Sequence, residues 1–256
     1  MNKTKIEIDL ADFPGELHCF LDGANVFDSS SSSSAKVLYS DLGYYIKISA
    51  KGRLREEAEF TRLFDKRGLG VSVEAYLSGD KDYLVTKSAK GEDCLAYLEE
   101  PEKLCEVLAK TMRDLHSCPI EGMPFSPRVQ DYVDVAKGTA EGEYQEYVLM
   151  DRFPIASKEE AWQIIQENMH KLKWDTLIHG DFCLPNVMLD HWKFSCFIDF
   201  NLAGVGDKHI DIYWVLWSLK YNLKTDKYTD LFLDLYGREN FDMEMLRVIA
   251  AFEAWG

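Results

Sequence analysis

A chain of 256 residues, 46% of them apolar, has enough core for one large domain or two lobes. The formal charge of −15 argues against nucleic acid as a partner, because a phosphate backbone needs basic patches. No apolar run approaches the ~20 residues that span a bilayer, so no membrane role is expected.

Acidic surface keeps a protein soluble, and in a cleft it would also concentrate a cationic ligand. The first ten residues, MNKTKIEIDL, contain acids and lack the continuous apolar stretch of a secretory signal. Six cysteines (Cys19, Cys94, Cys105, Cys118, Cys183, Cys196) are scattered with no C-x-x-C pair, the usage of reduced thiols. Cytoplasmic residence is the expectation. Residues 1–28 read as an irregular lead-in with a strand or two, Phe20-Leu21 and residues 25–27 being the apolar parts. Six serines at 29–34 then separate two strand-like segments. A flexible surface loop and a loop covering nucleotide phosphates both fit that composition.

A strand over residues 36–39 is followed by another over 42–49, where Tyr44, Ile46 and Ile48 face one way and Tyr45, Lys47 and Ser49 the other. An exposed strand lysine is ordinary. One placed just after a phosphate-covering loop can meet the α- and β-phosphates and needs a carboxylate on the next helix. Residues 54–66, LREEAEFTRLFDK, supply that helix and stop before Gly68. Leu54, Glu57, Thr61 and Phe64 share one face, Glu56, Phe60 and Leu63 another, so periodicity leaves the two glutamates undecided. Strands at 71–76 and 82–86 flank the turn Ser78-Gly79-Asp80-Lys81. Residues 87–91 would then be the hinge whose backbone meets a nucleotide base, with position alone selecting Ala89.

Beyond Gly91 the pattern turns helical. Pro101 opens a helix that runs to His116. His116 closes its apolar face and reads as packing rather than chemistry. Residues 128–136 and 157–171 give two more helices, the latter opening on a Ser cap. Between them Glu141, Glu143, Glu146 and Asp151 form an acidic segment that fits the lining of an acceptor cleft and a solvated loop equally well.

The densest chemistry lies in LIHGDFCLPNVMLDHWKFSCFID, residues 177–199. An apolar pair runs into His179-Gly180-Asp181, Asn186 follows five residues after that Asp, and two apolar runs separated by a polar break end at Asp199. Oxygen-bearing side chains are thereby placed on loops and strand ends. Phosphoryl transfer from a nucleotide leaves a protein mainly positioning and charge neutralisation: one carboxylate for the acceptor hydroxyl, hard oxygen ligands for magnesium. The D-x4-N spacing and the later Asp match the kinase catalytic loop and its metal-binding Asp. Asp181 is therefore the expected base, with Asn186 and Asp199 as magnesium ligands.

The segments HGDFCLPNVMLD and FSCFIDFNLAGVGDKHIDI closely resemble the core of the bacterial aminoglycoside 3'-phosphotransferases, antibiotic kinases with a protein-kinase-like fold. The likeness is tightest over residues 178–211. It implies an α+β, two-lobed fold, with an N-terminal antiparallel sheet plus helix over residues 1–88 and a mainly helical catalytic and acceptor-binding lobe over 89–256. It also favours Glu57 as the partner of Lys47, Ser33 as the phosphate-loop donor, and Asp211 as a structural Asp that buttresses the catalytic loop. At the C-terminus it implies acceptor-binding roles for Glu253 and Trp255, beside Asp151. The implied reaction moves the γ-phosphoryl group of ATP (or GTP), with Mg2+, to an aminoglycoside hydroxyl, the 3'-hydroxyl being favoured.

Three positions depart from the family pattern. Asn201-Leu202 stands where the family usually has Gly-Arg after the metal Asp, and Phe252 stands where a first C-terminal acid is common. None of these touches Asp181, Asn186, Asp199 or Lys47. The departures put the acceptor in question, leaving a sugar, an amino alcohol or another antibiotic as alternatives. A nucleotide-binding protein without catalysis is the rival from another class, and the intact set of four argues against it.

Overall fold

Alternating apolar residues in the first third of the chain pair into one antiparallel sheet. Its elements are β1 (Thr4–Ile6), a helical turn α1 (His18–Leu21), β2 (Val26–Asp28), β3 (Lys36–Ser40), β4 (Tyr44–Ala50), α2 (Arg55–Asp65), β5 (Val73–Ser78) and β6 (Lys81–Lys87). The strand order is β1-β2-β3-β4-β6-β5, so β4 lies inside the sheet, paired on both edges. The computed structural model describes residues 3–30, 35–140 and 143–255. It separates into two units, Met1–Gly91 with Ser195–Asn201, and Glu92–Phe194 with Leu202–Gly256.

In the first unit Ile46, Leu38 and Val85 are buried with Leu17 and Leu21, and Tyr44 and Ile48 pack against them. Phe20 and Leu21, expected as strand, are helical. Leu17 and Leu21, four residues apart on consecutive helical turns, both turn into this core. The alternating run Ile6, Ile8, Leu10 begins in the strand Thr4–Ile6, which is only three residues long. That strand exists as an edge paired to β2. On the other side, Leu54, Ala58 and Leu84 seat α2 on the sheet. Asp82, fully buried, accepts hydrogen bonds from the Leu54 amide (3.0 Å), Tyr76 (3.0 Å) and Ser78 (2.7 Å), which pins the entry to α2.

The second unit is built mainly of helices: α3 (Pro101–His116), α4 (Pro127–Lys137), α5 (Lys158–Asn168), α6 (Lys208–Leu223), α7 (Thr229–Tyr236) and α8 (Met243–Glu253). Short strands punctuate them: β7 (Glu92–Asp93), β8 (Thr176–Ile178), β9 (Val187–Asp190), the start of β10 (Lys193–Phe197), whose last three residues belong to the first unit, and β11 (Gly204–Gly206). Caps set the helix starts. Ser126 accepts from the Arg128 amide, Ser157 from Glu160 and Asp207 from His209, each satisfying a first-turn N–H. Helix α3 packs on α7, and α8 on both α5 and α6. Strands β8 and β11 pair antiparallel beneath the loops that follow them. The α+β composition expected from the sequence, a sheet with one long helix and then a mainly helical part, is what the fold contains. Among the described residues no helix is long and apolar enough to cross a membrane.

Candidate active site

Strand β8, buried along its length, delivers the chain into His179-Gly180-Asp181. Gly180 has φ +80°, and a Cβ there would overlap the carbonyl oxygen of Leu202, so only glycine fits. Asp211, fully buried in the first turn of α6, accepts the His179 amide (2.9 Å) and the Gly180 amide (2.8 Å). His116 reaches the same carboxylate through Nε2 (3.1 Å) and Tyr236 through Nδ1 (2.8 Å), which makes it a structural residue as expected. Asp211 thus braces the turn that carries Asp181.

The side chain of Asp181 is held by its neighbour five residues on. Asn186 Nδ2 donates to Asp181 Oδ2 (2.9 Å) and to the Asp181 carbonyl (3.0 Å). The Cys183 amide donates to that carbonyl as well (2.7 Å). Using its amide nitrogen inward leaves Asn186 its oxygen as the atom that could ligate a cation. The half-buried Cys183 thiol lies beside Asp181, and desolvation first, then that carboxylate, raises its pKa well above a free thiol's. A raised pKa disfavours the thiolate that a nucleophile needs.

In the first unit, Lys47 projects from β4 on the face opposite Ile46. Its Nζ lies 2.9 Å from Glu57 Oε1 and 3.2 Å from Asp199 Oδ1. Burial opposes its charge, but Asp199 and then Glu57 outweigh it and raise the pKa above that of an ordinary lysine. Glu57 is itself raised, by burial first, against the pull of Lys47. The choice that periodicity left open is decided here: Glu57 is buried on the face of Leu54, Thr61 and Phe64, while Glu56 is exposed. Asp199 sits at φ +63° between buried Phe197 and Phe200, and Phe200 packs on Phe64 of α2 (4.5 Å between rings). Its side chain is 43% exposed, which suits a ligand that must meet solvent-borne ions.

The profile of the phosphotransferase enzyme family matches residues 27–249. A probable aminoglycoside 3'-phosphotransferase of Lactococcus lactis is 40% identical over 260 residues, spanning 100% of this chain and 99% of its own. The chain belongs to the phosphotransferase enzyme family. An aminoglycoside 3'-phosphotransferase of Niallia circulans is 29% identical over 66% of this chain and 65% of its own. Among solved structures, an aminoglycoside phosphotransferase from Streptomyces rimosus superposes with a TM-score of 0.71 at 20% identity, over 98% of this chain and all of its own. The fold is therefore that of the protein-kinase-like aminoglycoside phosphotransferases.

Some residues of this phosphotransferase lie elsewhere than expected. Glu253, expected to meet the acceptor, is buried and paired within the second unit. It is 3% exposed, with Oε2 on Arg128 Nη1 (2.5 Å) and Oε1 on the Tyr132 hydroxyl (2.6 Å), so both oxygens are already engaged. Trp255 packs edge-on to Trp162 (5.7 Å) and Tyr144 (5.8 Å), with Lys158 over its face (4.6 Å), where an acceptor ammonium would meet a like charge. Asp151 is exposed and pairs loosely with Lys220 (3.1 Å). Ala89 is half-buried in the stretch after β6. Ser33 lies outside the described residues. Arg128 and Tyr132 went unnoticed in the sequence, because their partner Glu253 is more than 120 residues away and no local pattern joins them. Among the described residues no three His, Cys, Asp or Glu side chains are grouped to hold a metal. Asn186 offers an amide oxygen in the second unit and Asp199 a carboxylate in the first. Amide and carboxylate oxygens are the donors that magnesium takes.

Proposed function

We propose that the protein transfers the γ-phosphoryl group of ATP (or GTP) to a hydroxyl of an aminoglycoside, foremost the 3'-hydroxyl, and thereby confers antibiotic resistance. The observation that carries this reading is the Asp181 carboxylate fixed by Asn186 at 2.9 Å, on a turn braced by Asp211. The full-length relative named a probable aminoglycoside 3'-phosphotransferase supports the choice of acceptor.

In this reading Asp181 orients the acceptor hydroxyl and takes its proton as the new O–P bond forms and the bond from the γ-phosphorus to the departing ADP breaks. Lys47, steadied by Glu57, meets the α- and β-phosphates, and the loop containing Ser33 covers them. The backbone around Ala89 meets the base, within a nucleotide-binding lobe of residues 1–88. Asn186 and Asp199 hold Mg2+, which when bound neutralises charge on the phosphates. Residues 89–256 bind the acceptor, with acidic Asp151 exposed to attract its ammonium groups. The setting is the cytoplasm, where nucleotide is abundant.

The internal pairing of Glu253 favours a second reading, in which the acceptor is another small alcohol with fewer ammonium groups. ADP release measured against kanamycin, streptomycin, simple sugars and amino alcohols separates the two. Turnover with kanamycin is expected. Its absence, with turnover on another member of the panel, would transfer the assignment to that class. Nucleotide binding with no acceptor-dependent turnover at all would leave a non-catalytic protein.

A further inference from the structure

We propose that Arg128 is a positioning residue for phosphoryl transfer: its guanidinium, held by Glu253, clamps the Gly180 carbonyl and so fixes the backbone that carries Asp181. The inference rests on the reading of Asp181 as the base. Arg128 is the second residue of α4, and its Nε donates to the Gly180 carbonyl at 3.1 Å while Nη1 meets Glu253 at 2.5 Å. Asp211 already holds the amide of Gly180, so the glycine is gripped through both its N–H and its C=O. Glu253 is the last residue of α8 and is locked in turn by the Tyr132 hydroxyl. The Tyr132 ring stacks on Phe252 (4.3 Å, 6° between planes), which gives that departure from the family pattern a packing role. Trp214 lies under the guanidinium at 5.4 Å.

This pairing turns the C-terminal carboxylate inward. A carboxylate that is 1% exposed and doubly engaged cannot reach an acceptor ammonium without breaking a buried pair. It acts through Arg128 instead. The two-pronged grip needs a planar fork that spans Gly180 and Glu253 at once. A lysine offers a single point of charge and cannot bridge both. Burial opposes the Arg128 charge, but Glu253 and, further off, Asp181 more than offset it, so the guanidinium stays protonated.

The test compares wild type with Arg128→Lys, Glu253→Gln and the charge-free double variant Arg128→Met/Glu253→Gln, which avoids an unpaired buried ion. With kanamycin A and MgATP, kcat should fall at least about tenfold in all three while both KM values stay within about threefold. A Glu253→Gln enzyme with kcat kept and KM for kanamycin raised about tenfold would mean direct gripping and would overturn the proposal. Hydrogen–deuterium exchange gives a readout independent of turnover. Amides of residues 177–186 should exchange about tenfold faster in the double variant while residues 104–115 of α3 are unchanged. Unchanged exchange at 177–186, or equal acceleration in both segments, overturns the clamp. If wild type leaves kanamycin untouched, the aminoglycoside reading fails and the exchange data alone decide this inference.

Discussion

Asp211 lies 32 residues after His179, yet its two carboxylate oxygens hold the backbone amides of His179 and Gly180. A charged acceptor inside a protein makes stronger bonds than a neutral one, and here three donors, the two amides and His116, converge on a fully buried group. An Asn at this position offers one oxygen and turns an N–H toward the donors. Asp211→Asn should therefore cost roughly 1–3 kcal/mol of stability for the donor left unsatisfied. It should also reduce turnover, because the strut of the Asp181 turn is lost. Urea unfolding together with ADP release checks both. A variant that is as stable and as active as wild type would remove the strut from the account.

Asp181→Asn keeps the hydrogen-bonding shape toward Asn186 but removes the proton acceptor. A general base of this kind contributes about 10²–10⁴-fold, so kcat should fall by that range while nucleotide affinity is preserved. Titration with MgATP by calorimetry, beside the rate measurement, distinguishes loss of chemistry from loss of binding. Equal kcat in the variant would take the role of base away from Asp181.

Lys47 stands between Glu57 and Asp199, so removing it leaves two carboxylates facing each other without a cation. Lys47→Met should raise KM for MgATP by at least about tenfold, the worth of ~1.4 kcal/mol. Glu57→Gln should do less, since an amide still accepts from the lysine. Asp199→Ala should weaken MgATP more than ATP alone, because the carboxylate is the expected ion ligand. Steady-state rates over a range of Mg2+ concentrations check this. An Asp199→Ala enzyme with unaltered magnesium dependence would count against the ligand assignment.

The sites legible in the sequence were those whose geometry is local. The D-x4-N spacing places Asn186 one short turn after Asp181, and the short helical turn Leu184–Asn186 brings the amide back onto the carboxylate. Lys47 was readable because strand alternation fixes which way it points. Glu57 was half readable: its face was visible, but burial of Leu54, Thr61 and Phe64 on that face emerges only when the sheet supplies a surface. The pairing of Glu253 was illegible for the opposite reason. Its partner Arg128 lies on another helix, and only the packing of α8 in the second unit turns the carboxylate inward. Strands of two or three residues such as β7 and β11 leave no periodicity to find, since they exist through their pairing partners.

Asp207 supplies a test of pH dependence. Its Oδ1 accepts the His209 amide (3.0 Å) and lies 2.6 Å from His209 Nδ1, while Oδ2 accepts the Lys173 amide (2.8 Å). Burial alone would raise its pKa, but the His209 side chain and the two amides outweigh this and hold the carboxyl below the usual carboxylate range. A carboxylate whose folded pKa is depressed adds stability that is complete above its unfolded value, about 3.9. That stability is lost as pH falls through the folded value. Wild type should therefore lose stability steeply below about pH 4. Asp207→Asn should be less stable at neutral pH, by about 1–3 kcal/mol for a donor left unmatched, and should fall less steeply in acid. Urea unfolding of both proteins between about pH 3 and pH 7 measures the two slopes. Parallel acid limbs would mean that Asp207 is not the group whose protonation loosens the start of α6.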